Sequence, residues 1–457
     1  MKAIRLQNFK GFRDSGWIEL KPITLLFGYN SSGKSSILQA LMMKQSLGNP
    51  SSKVPFSFSS ERGVDLGTYQ DVVHNHKIGE EIPVTLSLRL DIHEVLKSGM
   101  YFDVPYQGET VKHPETSEII FSVSVSHNQT RKTDEISRFS LCDANGKNIL
   151  SMDRRRTNHD IETYFASDYY PNLIDKIKIE YSHFIPLMFI PQHHPIHDIL
   201  KVLLTTIIET NRHLHNIGPI RSDPKRTQLF SGENPETVGV RGEYAFQLLY
   251  LSRYGDNPGY LESRVNDWLS AYHYKFEWKI LDSNLGQFIL KDTRTGLEVN
   301  LKDTGFGLSQ ILPVVIQIYA ASPGSTVLIE QPEIHLHARA QAELGDLFLK
   351  ALHPEKKLII ETHSENLLLR IRRRIAENYI RKESDPSIIP DNIAIYFIEN
   401  QEGESVANRI PMNNRGEFEN PPEGFKKFFT DDFEEIMKIN SALAQISASE
   451  ELGIRKL

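Results

Sequence analysis

The chain has one cysteine, Cys142, among 457 residues, which excludes an internal disulfide and any metal site built on cysteine thiolates. No run approaches the ~18 apolar residues that a membrane span requires. The opening residues, Met1-Lys-Ala-Ile-Arg-Leu-Gln-Asn-Phe-Lys10, are polar and strand-like, unlike a signal peptide. Positive charge is not in excess. A net charge of −7 argues against diffuse electrostatic binding to nucleic acid and leaves room only for a local basic track. Internal repeats, low-complexity tracts and long heptad regions are missing as well. The remaining composition, 39% apolar and 24% charged, is that of an ordinary globular chain long enough for two or three domains. Together these absences predict a cytoplasmic protein that does not engage a membrane.

The most specific feature present is Gly28-Tyr-Asn-Ser-Ser-Gly-Lys-Ser35, a complete GxxxxGK[ST] phosphate loop. Before it, Ile23-Thr-Leu-Leu-Phe27 is a short apolar run suited to a buried strand. After it, Ser36-Ile-Leu-Gln-Ala-Leu-Met-Met43 carries apolar residues at helical spacing. Strand, loop and helix stand in the order the chemistry needs. Gly28, Asn30, Ser31, Ser32, Gly33 and Ser36 supply the cradle for phosphate, Lys34 reaches the terminal phosphates, and the Ser35 hydroxyl is a ligand for Mg²⁺. ATP with Mg²⁺ is the expected ligand.

Beyond residue 80 the pattern changes to alternating strands, such as Val84–Leu90 and Ile119–Val125, and Asn145-Gly146 is a hairpin signal. Ile199 to His215 reads as helical, and helices resume from about Glu243 to Tyr274 after loops rich in glycine and proline. Thr326–Ile329, Lys357–Ile360 and Ile393–Ile398 return to the short apolar runs of an open sheet. The expected fold is therefore α/β, a nucleotide-binding head interrupted by a β-rich and helical insertion. Its expected divisions are 1–90 with the phosphate loop, 91–300 the insertion, 301–430 the second half of the head, and 431–457 a tail.

Thr326-Val-Leu-Ile-Glu-Gln-Pro-Glu333 has the form of a Walker B strand whose Glu330 holds Mg²⁺ directly or through water. Upstream, Asp303-Thr-Gly-Phe-Gly-Leu-Ser-Gln310 is a glycine-bracketed loop opening an apolar helix, and downstream Glu361-Thr-His-Ser-Glu365 sets His363 where it could sense a γ-phosphate. In this order the motifs resemble ABC-class ATPases of the SMC, RecF and OLD branch. They resemble more closely the AAA-type ATPases of bacterial anti-phage systems, Septu (PtuA-type) first and PARIS (AriA-type) second. The likeness covers residues 1–50 and 300–430, including Glu330-Gln-Pro-Glu-Ile-His-Leu-His337 and Pro421-Pro-Glu-Gly-Phe425. It implies ATP held between head-to-tail copies, with Gly305, Gly307 and Ser309 capping the nucleotide bound by a neighbour's Lys34. It also implies a separate nuclease partner, of HNH type in a Septu-like system, with any nucleic acid reached through that complex. A RecF-like repair ATPase that binds DNA by itself is the alternative.

One position departs from the general ABC pattern. The residue after the Walker B acid is Gln331, which cannot accept a proton where a glutamate usually serves the attacking water. Either turnover is slow and ATP acts mainly as a switch, or Glu333 or His363 supplies the base; an engineered trap is a third reading. Natural slow turnover is favoured, because the same wording occurs in the resembling group.

Weaker signals are assigned to structure. His193, His194, His197 and Asp198 follow prolines in an irregular stretch and suit packing and surface roles better than a metal. His335 and His337 suit a subunit contact near the nucleotide. Arg370, Arg373 and Arg374 on a helix with Leu368, Ile371 and Ile375, and Arg154-Arg-Arg156, read as solvated faces before phosphate tracks. Asp431-Asp-Phe-Glu-Glu435 has no surrounding strands for a nuclease centre. Beyond it Ile436, Met437, Ile439, Leu443 and Ile446 approximate one helical stripe that needs a covering surface, either the nuclease partner or the chain's own ATPase head. A chain lacking 431–457 is expected to fold, bind ATP and oligomerise yet lose co-purification with the nuclease; retention of the nuclease, or aggregation, would remove the docking role of this tail.

Overall fold

A strand apolar along nearly its whole length must be covered on both faces, and Ile23–Gly28 is buried throughout. In a computed structural model of the chain it lies inside a six-stranded sheet. The structure describes residues 1–43, 59–60, 64–79, 82–91, 104–106, 109–111, 117–129, 132–156, 161–169, 213–230, 235–255, 257–282, 284–352, 356–381 and 385–429, with a few positions between 201 and 207. His193, His194, His197, Asp198 and the 431–457 tail therefore lie outside the described residues.

Across the sheet the order is Leu214–Ile217, Thr326–Glu330, Lys357–Thr362, Ile23–Gly28, Ile393–Gln401 and Glu404–Arg409. The first five run parallel and the last is antiparallel. Side chains alternate between two cores. Leu26, Leu328, Ile359 and Tyr396 face helix Lys34–Met43 and a second, antiparallel sheet. Leu25, Phe27, Ile329 and Ile360 face helices Phe306–Ala320, Ala338–Lys350 and Glu365–Arg381. Helix Lys34–Met43 is consequently buried on almost every side, as its lack of a polar face requires. The fold is α/β with mixed sheets.

The antiparallel sheet runs Ile161–Ala166, Asn148–Arg156, Thr133–Asp143, Glu118–Asn128, Val84–Asp91, Ala3–Phe9 and Phe12–Asp14, and Ile18–Glu19 also pairs with Ala3–Phe9. Ile4 faces Leu88 and Leu6 faces Leu86 in register. Strands on either side of residue 90 thus share one sheet, and Leu214–Ile217 from the central stretch forms the edge of the nucleotide sheet. The expected hairpin is present: Asp143 Oδ1 accepts from the Asn145 and Lys147 amides at 2.9 and 2.8 Å, and Gly146 turns at φ +83°.

Two helical expectations are corrected. His215 lies in a strand, because Leu214–Ile217 finds a parallel partner in the buried Thr326–Ile329 edge, and pairing overrides local propensity. The helices after Glu243 are Ala245–Leu251 and Tyr260–Ser270, and Tyr274 opens a strand, Tyr274–Asp282. The arginine helix buries Leu368, Ile371 and Ile375. Arg370 and Arg374 both bond Asp346, and Arg373 and Arg374 bond Glu377, so these cations are spent within the head.

The helical segment 423–429 closes over the loop strand. Phe428 meets Phe27 at 4.7 Å and Tyr29 at 5.1 Å between ring centres, and Phe425 and Phe429 complete the cluster. Gly28 sits between this cluster and the next strand at φ +146°, where an added Cβ would stand 2.1 Å from the Ile398 carbonyl oxygen. Gly28→Ala is expected to cost more than about 1 kcal/mol of stability and to lower nucleotide affinity; a wild-type unfolding midpoint would contradict this packing.

Candidate functional site

Parallel strands present their carboxyl ends at one edge, and there the chain leaves the sheet into the loops that meet ligands. Gly28, Glu330 and Thr362 end three adjacent strands at this edge. In register, Glu330 is the direct neighbour of Glu361, and Glu361 is the neighbour of Leu26. The strand carrying Glu361 therefore stands between the Walker B strand and the phosphate-loop strand. Both glutamates project to the side on which helix Lys34–Met43 lies, since Leu26, Leu328 and Ile359 share that face.

The loop is wound tightly. Ser31 has φ +58° and Gly33 φ +108°, turning successive amides toward a common centre. A Cβ on Gly33 would lie 2.6 Å from the Ser405 Oγ, so only glycine fits. Asn30 and Ser31 are exposed, while Ser32, Lys34 and Ser36 are buried. Lys34 is 3% exposed. Its ammonium donates to the Gly28 and Tyr29 carbonyls, and burial pushes it down to about 8 despite the attraction of Glu361 and Glu333.

The acids form a matching cluster. The Ser35 hydroxyl donates to Glu361 Oε1 at 2.9 Å. Glu333 Oε1 accepts from the His363 amide at 2.6 Å. Burial pushes Glu330 up to about 7, with Glu361 adding to the rise and Arg221 opposing it. Glu333 and Glu361 are raised for the same first reason. His363 is held below its ordinary value by burial and by Lys34.

Sequence reasoning missed two participants. Glu361 read only as the residue before a switch histidine; its signal was an acid ending an otherwise apolar strand, the same signal that marked Glu330. Arg221, in the loop 218–224, is 4% exposed and donates through Nη2 to the Glu330 carbonyl at 2.6 Å and through Nη1 to the Gln331 carbonyl at 3.1 Å. Burial lowers it to about 10, against the pull of Glu333 and Glu330. It secures a turn in which Gln331 has φ +43° and donates its amide to the Glu361 carbonyl at 2.9 Å. No sequence pattern marked this arginine.

The structure thus brings together the 28–36 loop, Glu330, Gln331, Glu333 and His363. The glycine-bracketed loop packs against the stretch that follows the Walker B strand. Gly305 precedes helix Phe306–Ala320, Ser309 is buried, and Gly307 abuts the His335 carbonyl, 2.8 Å from where its Cβ would be. Arg226 pairs with Asp303 at its start. His335 is exposed, and His337 caps helix Ala338–Lys350 by accepting from the Ala340 amide. A cleft of about 490 Å³ between Leu248, Tyr260, Tyr319 and Lys356 lies at the opposite, amino ends of the strands.

The residues at the carboxyl edge fit a Mg²⁺–triphosphate. Among the described residues, Ser32 Oγ, Glu333 Oε2 and Glu361 Oε2 are buried without hydrogen-bond partners, and a hydroxyl with carboxylates is the hard oxygen set Mg²⁺ takes. The buried Lys34 ammonium, which donates to the Gly28 and Tyr29 carbonyls, is the group an anionic phosphate would engage.

A family profile described as AAA ATPase domain matches residues 1–194 and 251–368. No curated protein matches the chain. Solved structures that align include an SMC head bound to the C-winged helix domain of ScpA, at 11% identity over 90% of this chain and 97% of that one, TM-score 0.46. An SMC head domain from Thermotoga maritima aligns at 12% over 90% and 98%, TM-score 0.38. An SMC head with an extended coiled coil, bound to the C-terminal domain of ScpA derived from Pyrococcus furiosus, aligns at 10% over 97% and 99%, TM-score 0.42. Scores this low carry no functional inference.

The raised Glu330 gives a pH signature. Because the native state holds this proton up to about 7 while the unfolded chain releases it near the ordinary carboxylate value, stability is lost as pH rises through that window. Glu330→Gln is expected to gain on the wild type, without divalent metal, by on the order of 2 kcal/mol between about pH 5 and 8. Urea unfolding of both proteins at each pH checks this; a difference independent of pH would contradict the raised proton affinity of that carboxylate.

Proposed function

We propose, for a chain that belongs to the AAA ATPase domain family, that it is an ABC-type ATPase head acting as a regulatory scaffold. Lys34 and the loop amides bind the triphosphate, and Ser35 and Glu330 hold Mg²⁺, which supplies charge neutralisation at the transferring phosphate. Glu333, fixed by the His363 amide, and His363 itself line the terminal-phosphate side. The single observation that carries this reading is the convergence of the loop, Glu330, Glu333 and His363 at the ends of three neighbouring strands.

Hydrolysis is slow on this reading. Gln331 offers no proton acceptor, and its backbone is pinned by Arg221 and by the Glu361 carbonyl. ATP then acts chiefly by holding copies together head to tail, with Gly305, Gly307 and Ser309 of one copy meeting the nucleotide of another. The Glu330–His337 and Pro421–Phe425 wording supports placing this scaffold in a bacterial defence complex that controls a separate nuclease of HNH type. Direct DNA binding through the arginine helix has less support, since Arg370, Arg373 and Arg374 are paired with Asp346 and Glu377.

Lys34→Ala is expected to abolish ATP binding, ATP-dependent assembly and any phage protection. Wild-type affinity in that variant would remove the nucleotide assignment. Steady-state phosphate release by the native chain is expected far below the ~10 s⁻¹ of a median enzyme, and Gln331→Glu is expected to raise it. Brisk turnover that the substitution leaves unchanged would show that the scaffold reading has the wrong rate. DNA binding by the isolated chain, dependent on ATP, would favour the repair alternative.

A further inference from the structure

We infer that Glu361 is the carboxylate that joins the phosphate loop to the metal: it holds the Ser35 hydroxyl with its lone pair turned toward Mg²⁺ and brings to the site the negative charge that position 331 does not. The inference rests on the Mg²⁺–ATP reading above and adds a residue to it.

A serine hydroxyl has one proton and two lone pairs. When a lone pair is given to a cation, the proton needs an acceptor on the other side, and a carboxylate in that position orients the ligand and strengthens it as a donor. Ser35 has this acceptor in Glu361, at 2.9 Å. The sheet dictates which acid it is. Lys357–Thr362 lies between the Walker B strand and Ile23–Gly28, so Glu361 adjoins the loop strand and Glu330 is one strand farther away.

The second oxygen of Glu361 is buried and has no hydrogen-bond partner among the described residues, in a residue only 3% exposed. A withdrawn carboxylate oxygen left in that condition is costly unless a cation completes it. Lys34 is the neighbouring cation, and Glu333 lies close enough to oppose a second negative charge. A divalent cation beside Ser35 would complete the Glu361 oxygen and offset the repulsion between Glu361 and Glu333. Glu361 is thus a positioning residue toward the metal through Ser35.

The test uses the full chain and a fluorescent ATP analogue titrated first in EDTA and then at increasing Mg²⁺, with Mn²⁺ and its electron paramagnetic resonance spectrum as an independent readout. Glu361→Gln keeps the shape and the acceptor but removes the charge. It is expected to bind the analogue in EDTA as the wild type does, to need about tenfold more Mg²⁺ or Mn²⁺, and to alter the Mn²⁺ spectrum. Ser35→Ala is expected to raise the Mg²⁺ requirement as well, and in that background Glu361→Gln is expected to add much less than it does alone. Glu361→Asp, which retains the charge on a shorter stem, should fall between wild type and Glu361→Gln and serves if the glutamine variant does not fold.

A Mg²⁺ midpoint within about twofold of wild type for Glu361→Gln, or fully additive effects with Ser35→Ala, would overturn the inference. If Lys34→Ala abolishes binding while Glu361→Gln behaves as wild type, the ATP reading stands and only the role of Glu361 falls. Retained binding in Lys34→Ala would remove both.

Discussion

Charge taken out of water governs this structure. Lys34, Arg221, Glu333 and Glu361 are all withdrawn from solvent at one edge of one sheet, and Glu330 stands among them. Burial drives each toward its neutral form, with Lys34 lowered to about 8, Arg221 to about 10 and Glu330 raised to about 7. Each remains tolerable because an opposite charge or a hydrogen bond is within reach. A metal with a polyanion would change the potential at all of them together. The cluster is connected to the backbone as well: Arg221 holds the Glu330 and Gln331 carbonyls, and Glu333 holds the His363 amide.

Such a cluster needs a rigid frame, and the three layers provide it. One core locks helix Lys34–Met43 between two sheets, and the other backs the parallel sheet with long helices. Leu25, Leu26 and Phe27 reach both cores from consecutive positions, so the strand that delivers the loop cannot shift without disturbing both. The close approach of the Ile398 backbone at Gly28 and of the Ser405 side chain at Gly33 removes the remaining slack. The 423–429 segment adds an aromatic buttress against Phe27 and Tyr29.

Where local chemistry decides, the sequence was readable. The 28–35 loop has a wording that few other structures require. The runs at 326, 357 and 393 are apolar for too few residues to be helices, and they became parallel strands. Asn145-Gly146 carried its own turn. Reading failed where a partner distant in sequence decides. His215 is in a strand because Val327 is beside it. Glu361 meets Ser35 because one strand intervenes between two others, an order that no window of residues contains. Arg221 sits in a loop of glycine and proline, and its role depends on carbonyls more than 100 positions away.

That distance has a consequence for how the molecule comes into being. Ser35 and Glu361 are separated by 326 positions, and the loop strand has no parallel neighbour until Lys357–Thr362 and Ile393–Gln401 have been made. Closing so long a stretch is slow for topological reasons, however favourable the final contact. During synthesis at ~5–20 residues per second, the emerging chain carries a complete phosphate-loop wording for most of its elongation time without the sheet that shapes it. The sheet that shapes the phosphate loop can therefore close only after residues 357–401 have been made.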